Sequence, residues 1–297
     1  MNMQKQNGLI LKGVGSFYTV LTEGEREVVC RARGRFRRDG LTPSVGDRVT
    51  FAEEGDGCRI DAILPRKNIL VRPAVANLDK LLIVVAASAP KPDLLLLDKL
   101  LIQCEIKGIA PVIVVNKCDE EDDGIAQMLQ AQYGGAGYPV LPTSAATGLG
   151  VDEVKRQIEG CVCCFAGQSA VGKSSLINAL VPSLSLETGV LSKKTERGKH
   201  TTRHAQLWRA CGGAILDTPG FSLLDAEEME PERLADYYPE MKGKRDGCRF
   251  PECMHRKEPD CSIKKMIGKP GGISQGRYER YQILAEELTE KRKHRYD

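Results

Sequence analysis

The chain has 297 residues, with 43 Lys and Arg against 40 Asp and Glu, and 11 Cys. That length holds a nucleotide-binding domain with one or two smaller domains beside it. The start MNMQKQNGLI lacks a signal-peptide core, and the longest apolar runs, Leu81 to Ala87 and Leu94 to Leu97, are too short to span a bilayer. A cytoplasmic protein with reduced cysteines and no membrane segment is therefore expected, and a secreted disulfide scaffold is not. The net charge of +3 conceals a pattern: residues 1–72 carry 13 basic against 9 acidic side chains, residues 73–241 carry 15 against 22, and residues 242–297 carry 15 against 9. Basic flanks around an acidic centre suit a polyanion such as nucleic acid, with solvated surface the alternative for the N-terminal flank taken alone.

Residues 8–72 hold short runs of β formers, Phe17 to Leu21, Glu27 to Arg31, Arg48 to Phe51 and Arg59 to Ile63, separated by Gly, Pro and Asp turns. Several short strands at this spacing predict a small barrel, and the oligonucleotide-binding (OB) type has the right size. Arg31, Arg33, Arg35 and Arg37 recur every second residue, so a continuing strand would place all four on one face, with Arg38 adjoining them.

From Asp79 the pattern becomes α/β, with Leu81 to Ala87 a strand, Leu94 to Lys107 a helix and Pro111 to Val115 a second buried strand. That strand delivers Asn116-Lys117-Cys118-Asp119. The Asp119 carboxylate can accept from the ring N1–H and exocyclic amine of guanine, an arrangement adenine does not present. Asn116 can hydrogen-bond the other edge of the base and the loop, and the Lys117 stem can cover the base plane. A further strand near Tyr138 to Leu141 ends in Thr143-Ser144-Ala145, where Ser144 and Ala145 would back the guanine.

Cys161 to Ala166 reads as a buried strand, which makes Cys161, Cys163 and Cys164 core side chains in preference to metal ligands. It runs into Gly167-Gln168-Ser169-Ala170-Val171-Gly172-Lys173-Ser174, an unbroken GxxxxGK[ST] phosphate loop that opens a helix through Leu180. Its backbone N–H groups, with Ser175 just inside the helix, would converge on phosphates. Lys173 would reach the outer phosphates as a catalytic group, and the Ser174 hydroxyl would ligate Mg²⁺. Residues 182–200 form a long polar connection ending in His200-Thr201-Thr202, where one of the two threonines would close on Mg²⁺ and the γ-phosphate. Asp217-Thr218-Pro219-Gly220 is the DxxG element: Asp217 would hold Mg²⁺ through water and the Gly220 N–H would sense the γ-phosphate. Phe221 follows where many GTPases place a water-orienting glutamine, which leaves His200 as the candidate for that task.

Ordinary GTPases run from phosphate loop to guanine motif, whereas here the guanine motif comes first. The domain is circularly permuted, a rearrangement tolerated where the original termini lie close together. After Met229, Cys248-x₄-Cys253-x-His255-x₅-Cys261 supplies three thiolates and an imidazole for one structural Zn²⁺. A helix from about Ser274 follows, with Tyr281, Leu284 and Leu288 on one face and a basic end at Lys291, Arg292, Lys293 and Arg295, a charged tail that is either solvated surface or, beside a basic zinc module, a contact for RNA.

This ordered set resembles the ribosome small subunit-dependent GTPase A family of circularly permuted bacterial GTPases, through NKCD, GQSAVGKSS, GKHTTRH, DTPG, the Cys/His spacing and ISQGRYERY. The resemblance covers nearly the whole chain. It implies a multidomain protein: an OB-like β-barrel over residues 1–72, a permuted α/β P-loop GTPase over 73–228 and an α-helical zinc-binding module over 229–297. It implies that His200 participates in hydrolysis and that Cys248, Cys253, His255 and Cys261 bind zinc. The implied activity is Mg²⁺-dependent hydrolysis of GTP to GDP by a monomer that binds the small (30S) ribosomal subunit and its rRNA late in maturation and is stimulated by that subunit. A rival from another class is an RNA-binding module whose pocket only senses GTP, and Phe221 is the feature that favours it. A third reading, a GTPase that hands metal on through its cysteines, requires an exchangeable ion.

Overall fold

The structure, a computed structural model, describes residues 5–34, 36, 40–54, 57–70, 74–120, 124–182, 205–217 and 229–293. Its first strands are β1 (Gln6–Val14), β2 (Phe17–Thr22), β3 (Glu27–Ala32), β4 (Arg48–Glu54) and β5 (Gly57–Ile63). They pair in the order β1-β2-β3-β5-β4, and β4 returns to β1 so that the sheet closes into a barrel around Ile10, Val20, Val49, Phe51 and Ile60. The sequence reading missed β1, whose Gly8 and Gly13 dilute the β-forming signal.

The arginine ladder does not form as expected. β3 stops at Ala32, and Arg33 turns to pair with Asp61 at 2.6 Å. Arg35, Arg37 and Arg38 lie outside the described residues. Of the two described members, Arg31 sits on the strand, with its guanidinium 4.9 Å from the ring centroid of Phe17.

The described residues of 64–79 (64–70 and 74–79) form a strap that leaves the barrel and bonds back onto it. Asp47, fully buried, receives Arg66 Nε and Nη2 at 2.7 Å each, so the carboxylate is matched by a two-pronged donor. The Asn77 side chain donates to the Gly46 carbonyl at 3.0 Å, and the Ala76 N–H donates to Val45 O at 2.8 Å. Within the strap β6 (Ile69–Leu70) pairs with β7 (Val75–Ala76).

The second sheet contains β8 (Lys80–Ala86), β9 (Ala110–Asn116), β10 (Val140–Pro142), β11 (Val162–Ala166), β12 (Gln206–Ala210) and β13 (Gly213–Asp217). Its order is β10-β9-β8-β11-β13-β12, parallel except for β12, and it meets the barrel where Lys12 of β1 pairs with Gln206 of β12. Side chains alternate across β8: Leu81, Ile83 and Val85 enter one core, and Leu82, Val84 and Ala86 the other. Helices α1 (Leu94–Lys107) and α2 (Ile125–Tyr133) cover the first face. Helices α3 (Val151–Ile158) and α4 (Lys173–Leu180) cover the second. Cys163 and Cys164 are fully buried on opposite faces and Cys161 packs at the edge, as core residues should.

Helix α1 is bounded by chemistry legible in the sequence. The Asp93 carboxylate caps its N-terminus by accepting from Leu96 N at 2.9 Å, and Gly108 ends it at φ 63. Its Leu97, Leu100 and Leu101 face the sheet, whereas Ile102, Leu95 and Ile106 join a different core. That core belongs to the C-terminal module, built from a 3-10 turn at Pro231–Tyr237, α5 (Ser262–Lys265) and α6 (Gln275–Lys293). Helix α1 is thus the wall the two parts share.

Candidate nucleotide-binding and metal sites

The loops that follow β8, β9, β10 and β11 gather at the carboxyl ends of the parallel strands. Strand order reverses between β8 and β11, the place where open α/β sheets bind ligands. The phosphate loop turns sharply out of β11 at Gly167, where φ is 127 and a Cβ would lie 2.1 Å from the Val84 carbonyl oxygen, so no side chain fits. Among the described residues the backbone N–H groups from Gln168 to Ser174 have no acceptor. These donors, followed by the N-terminus of α4, form a concavity suited to an anion. Ser169, Ala170 and Ser175 are exposed along it, while Ser174 is half-buried in the first turn. Lys173 donates to Gly167 O at 2.7 Å and to Gln168 O, and burial lowers its pKa. A phosphate would give that ammonium the charge it lacks here.

Asn116 joins the loops. Buried at the end of β9, it donates from Nδ2 to Val171 O at 3.0 Å and accepts from Ala145 N at 3.1 Å, so one amide fastens the guanine motif to both the phosphate loop and the TSA turn. Ser144, also buried, accepts from Thr147 N at 3.1 Å. Lys117 adopts φ 66 and donates from Nζ to Ala89 O at 2.5 Å. Asp119 is exposed beside it, open to an incoming base edge. β13 ends at Asp217, on the strand next to β11. The Asp217 side chain, His200, Thr201, Thr202, Gly220 and Phe221 lie outside the described residues.

In the module, the Sγ atoms of Cys248, Cys253 and Cys261 and a ring nitrogen of His255 lie within 4.8 Å of one another. His255 Nδ1 is 3.6 Å from Cys248 Sγ and 3.3 Å from Cys261 Sγ, and the two sulfurs are 3.9 Å apart. Ligands about 2.3 Å (S) and 2.0 Å (N) from one tetrahedral ion would be about 3.5–3.8 Å apart, so this donor set fits zinc. Burial pushes Cys253 up to about 12, which means that a thiolate there needs a cation. Helix α6 braces the ligand loop: Tyr278 OH donates to His255 O at 2.7 Å, and Tyr281 OH to Met254 O at 2.8 Å. The basic end of α6 is partly committed, with Arg292 paired to Glu232 and Glu230 and Lys293 to Glu290.

The RsgA GTPase family model matches residues 63–227 of the chain, and the RsgA N-terminal domain model matches residues 7–58. The chain belongs to the RsgA GTPase family. It is accordingly a GTP-hydrolysing enzyme, multidomain and circularly permuted, for which Mg²⁺ is implied with the nucleotide. Similar relatives include proteins called small ribosomal subunit biogenesis GTPase RsgA. The one from Ruminiclostridium cellulolyticum is 44% identical over 96% of this chain and 94% of its own length. That from Halalkalibacterium halodurans is 42% identical over 97% and 99%. Among solved structures, YjeQ from Thermotoga maritima superposes with a TM-score of 0.83 at 35% identity, covering 96% of this chain and 99% of that one. YloQ, described as a circularly permuted GTPase, gives 0.81 at 32% identity, covering 97% and 96%.

Motif reading missed the groups that hold the RsgA fold's parts together. Arg277 is fully buried between Asp98, at 3.2 Å from Nε, and Glu240, at 2.5 Å from Nη1, with the rings of Tyr133 and Tyr238 each 4.9 Å from its guanidinium. A lone aspartate inside Leu94 to Ile102 was the available signal, because a charge on an apolar helix face needs a partner.

Proposed function

We propose that the chain is a GTP hydrolase acting in late biogenesis of the small ribosomal subunit, which binds that subunit and its rRNA and hydrolyses GTP when bound. The observation that carries this reading is the amide of Asn116, which ties a guanine-reading loop to a phosphate loop in a chain related over nearly its full length to small ribosomal subunit biogenesis GTPases. Asp119 reads the base, Lys117 covers its plane, and Ser144 and Ala145 back it. Gly167, Gln168, Ser169, Ala170, Val171, Gly172, Lys173, Ser174 and Ser175 cradle the phosphates, with Lys173 stabilising the charge that develops on the transferred group. Ser174, Asp217 and one of Thr201 and Thr202 hold Mg²⁺, whose chemistry is to neutralise that charge; Gly220 senses the γ-phosphate. Because Phe221 offers no hydrogen bond, His200 orients the water. Cys248, Cys253, His255 and Cys261 hold one structural Zn²⁺.

In this reading the barrel spans residues 1–72, the GTPase domain 73–228 and the zinc module 229–297, and the protein works as a monomer in the cytoplasm. Exposed Phe17 beside Arg31 and the basic charge of the C-terminal segment support contact with RNA. The second reading, an RNA-binding module with a sensing pocket, draws its support from Phe221. The deciding experiment is GTP turnover by the purified chain alone, with mature small subunits and with large subunits. Stimulation by orders of magnitude with the small subunit only is expected; tight GTP binding with no stimulation would favour the sensing module.

A further inference from the structure

Helix α1 touches the phosphate loop at one end and the Cys/His module along its side. At its start, Asp93 N–H donates to the Gln168 side-chain Oε1 at 3.0 Å, so the residue that caps α1 is held by the second residue of the phosphate loop. Just over one turn on, fully buried Asp98 pairs with Arg280 Nε at 2.5 Å and Arg277 Nε at 3.2 Å, both on α6. Arg280 donates further to Gln132 Oε1 at 2.9 Å and to Tyr133 OH at 3.0 Å on α2. Ile102 of α1 lies inside the module's own core. No glycine or proline interrupts α1 between these contacts, so the helix moves as one rod.

The phosphate-loop end is where a nucleotide must change the bonding. Lys173 Nζ spends two of its three donors on the carbonyls of Gly167 and Gln168, and a phosphate would engage the third. Nucleotide would therefore share Lys173 with the residue whose side chain holds α1, and that shared donor is the contact that differs between the empty and the filled loop.

We propose that α1 couples the nucleotide site to the Cys/His module, with Gln168 and Asp98 as its two positioning residues. This rests on the nucleotide reading of the phosphate loop. Because coupling between two binding equilibria is reciprocal, whatever grips the module also changes nucleotide affinity.

The test uses the full-length chain and hydrogen exchange of α6, with and without saturating GDP or a non-hydrolysable GTP analogue. Saturation is verified separately by titrating a fluorescent guanine nucleotide. Nucleotide should change α6 exchange about fivefold or more in the native chain, and Gln168→Ala, once saturated, should abolish that change. An equal change in Gln168→Ala, or none in the native chain, overturns the proposal. Failure of the native chain to bind nucleotide at all would remove the site reading and the coupling together, and the titration distinguishes that outcome. A double-mutant cycle gives an independent measure. Arg280→Gln should shift the Kd for GDP in the native background and leave it within about twofold in the Gln168→Ala background. Equal shifts in both backgrounds, or no shift in either while α6 keeps its protection, would overturn the coupling.

Discussion

Ala170 sits in the phosphate loop at φ 65, a left-handed conformation that suits glycine. An L side chain there costs about 1–2 kcal/mol. Ala170→Gly should therefore stabilise the chain by about 1 kcal/mol, seen as a higher denaturation midpoint with an unchanged denaturant slope; an unchanged midpoint would mean that the strain is relieved elsewhere. Asp119 has the opposite character, being exposed and free of backbone strain. Removing it should weaken guanine nucleotide binding by about 1–3 kcal/mol and leave adenine nucleotides unaffected, so competition binding with Asp119→Ala measures its share of selectivity. Both residues were legible as motif members, because backbone donors and a base edge dictate the composition of such loops. The strain at Ala170 was not legible, since a dihedral angle becomes visible only in three dimensions. Nor were the particular partners of Asn116, which come from loops 29 and 55 residues away.

Among the elements, α1 was fully legible in extent and only half legible in role. Its Asp cap and Gly stop fix its ends at Leu94 and Lys107. Its second face was hidden, because the leucine run reads as a helix buried in one core and it serves two. The buried ions on that face are the expensive part: burial pushes the Glu240 carboxyl pKa up, with the Arg277 charge pulling against it. Arg277→Met would leave Asp98 with Arg280 alone and Glu240 without its partner. The expected loss is about 3–5 kcal/mol, with α6 losing hydrogen-exchange protection before the parallel sheet does. The sign of the pH response follows from the raised Glu240 pKa. In the Arg277 variant, acidification towards the ordinary carboxyl range should restore part of the stability, because a protonated Glu240 is the form that burial favours. A variant equally unstable at all pH values would show that Glu240 is not the group responsible. β1 illustrates the reverse failure, an element with a weak local signal whose pairing to β2 and β4 supplies what its glycines lack.

At the scale of the whole molecule, the permuted order was readable because motif sequence alone establishes it, whereas the sheet order β10-β9-β8-β11-β13-β12 was not, because which strands lie side by side is set by long-range pairing. The Cys/His centre was readable from spacing, and its four donors do converge. Metal analysis of the purified chain should find about one zinc per chain. Stripping the ion with a chelator should loosen α5 and α6 while nucleotide binding persists more weakly. With Cys253 raised to about 12, binding must expel a proton, so zinc affinity should fall as pH falls, about tenfold per pH unit for each proton displaced. A chain that folds fully without zinc, with α6 protected, would argue against a structural ion.

The strap over residues 64–79 bears on how such a protein can be taken apart. Gly46 lies so close to it that a Cβ would stand 2.0 Å from the Ala76 carbonyl oxygen, and Asp47 has its guanidinium partner at Arg66 on the strap. A barrel excised at the end of β5 would carry a buried carboxylate with no counter-charge and a loop shaped around a missing strand. The transplantable cassette is therefore the five strands together with their strap. Grafted onto an unrelated enzyme at that longer boundary, the barrel would arrive with its own rigid bracket.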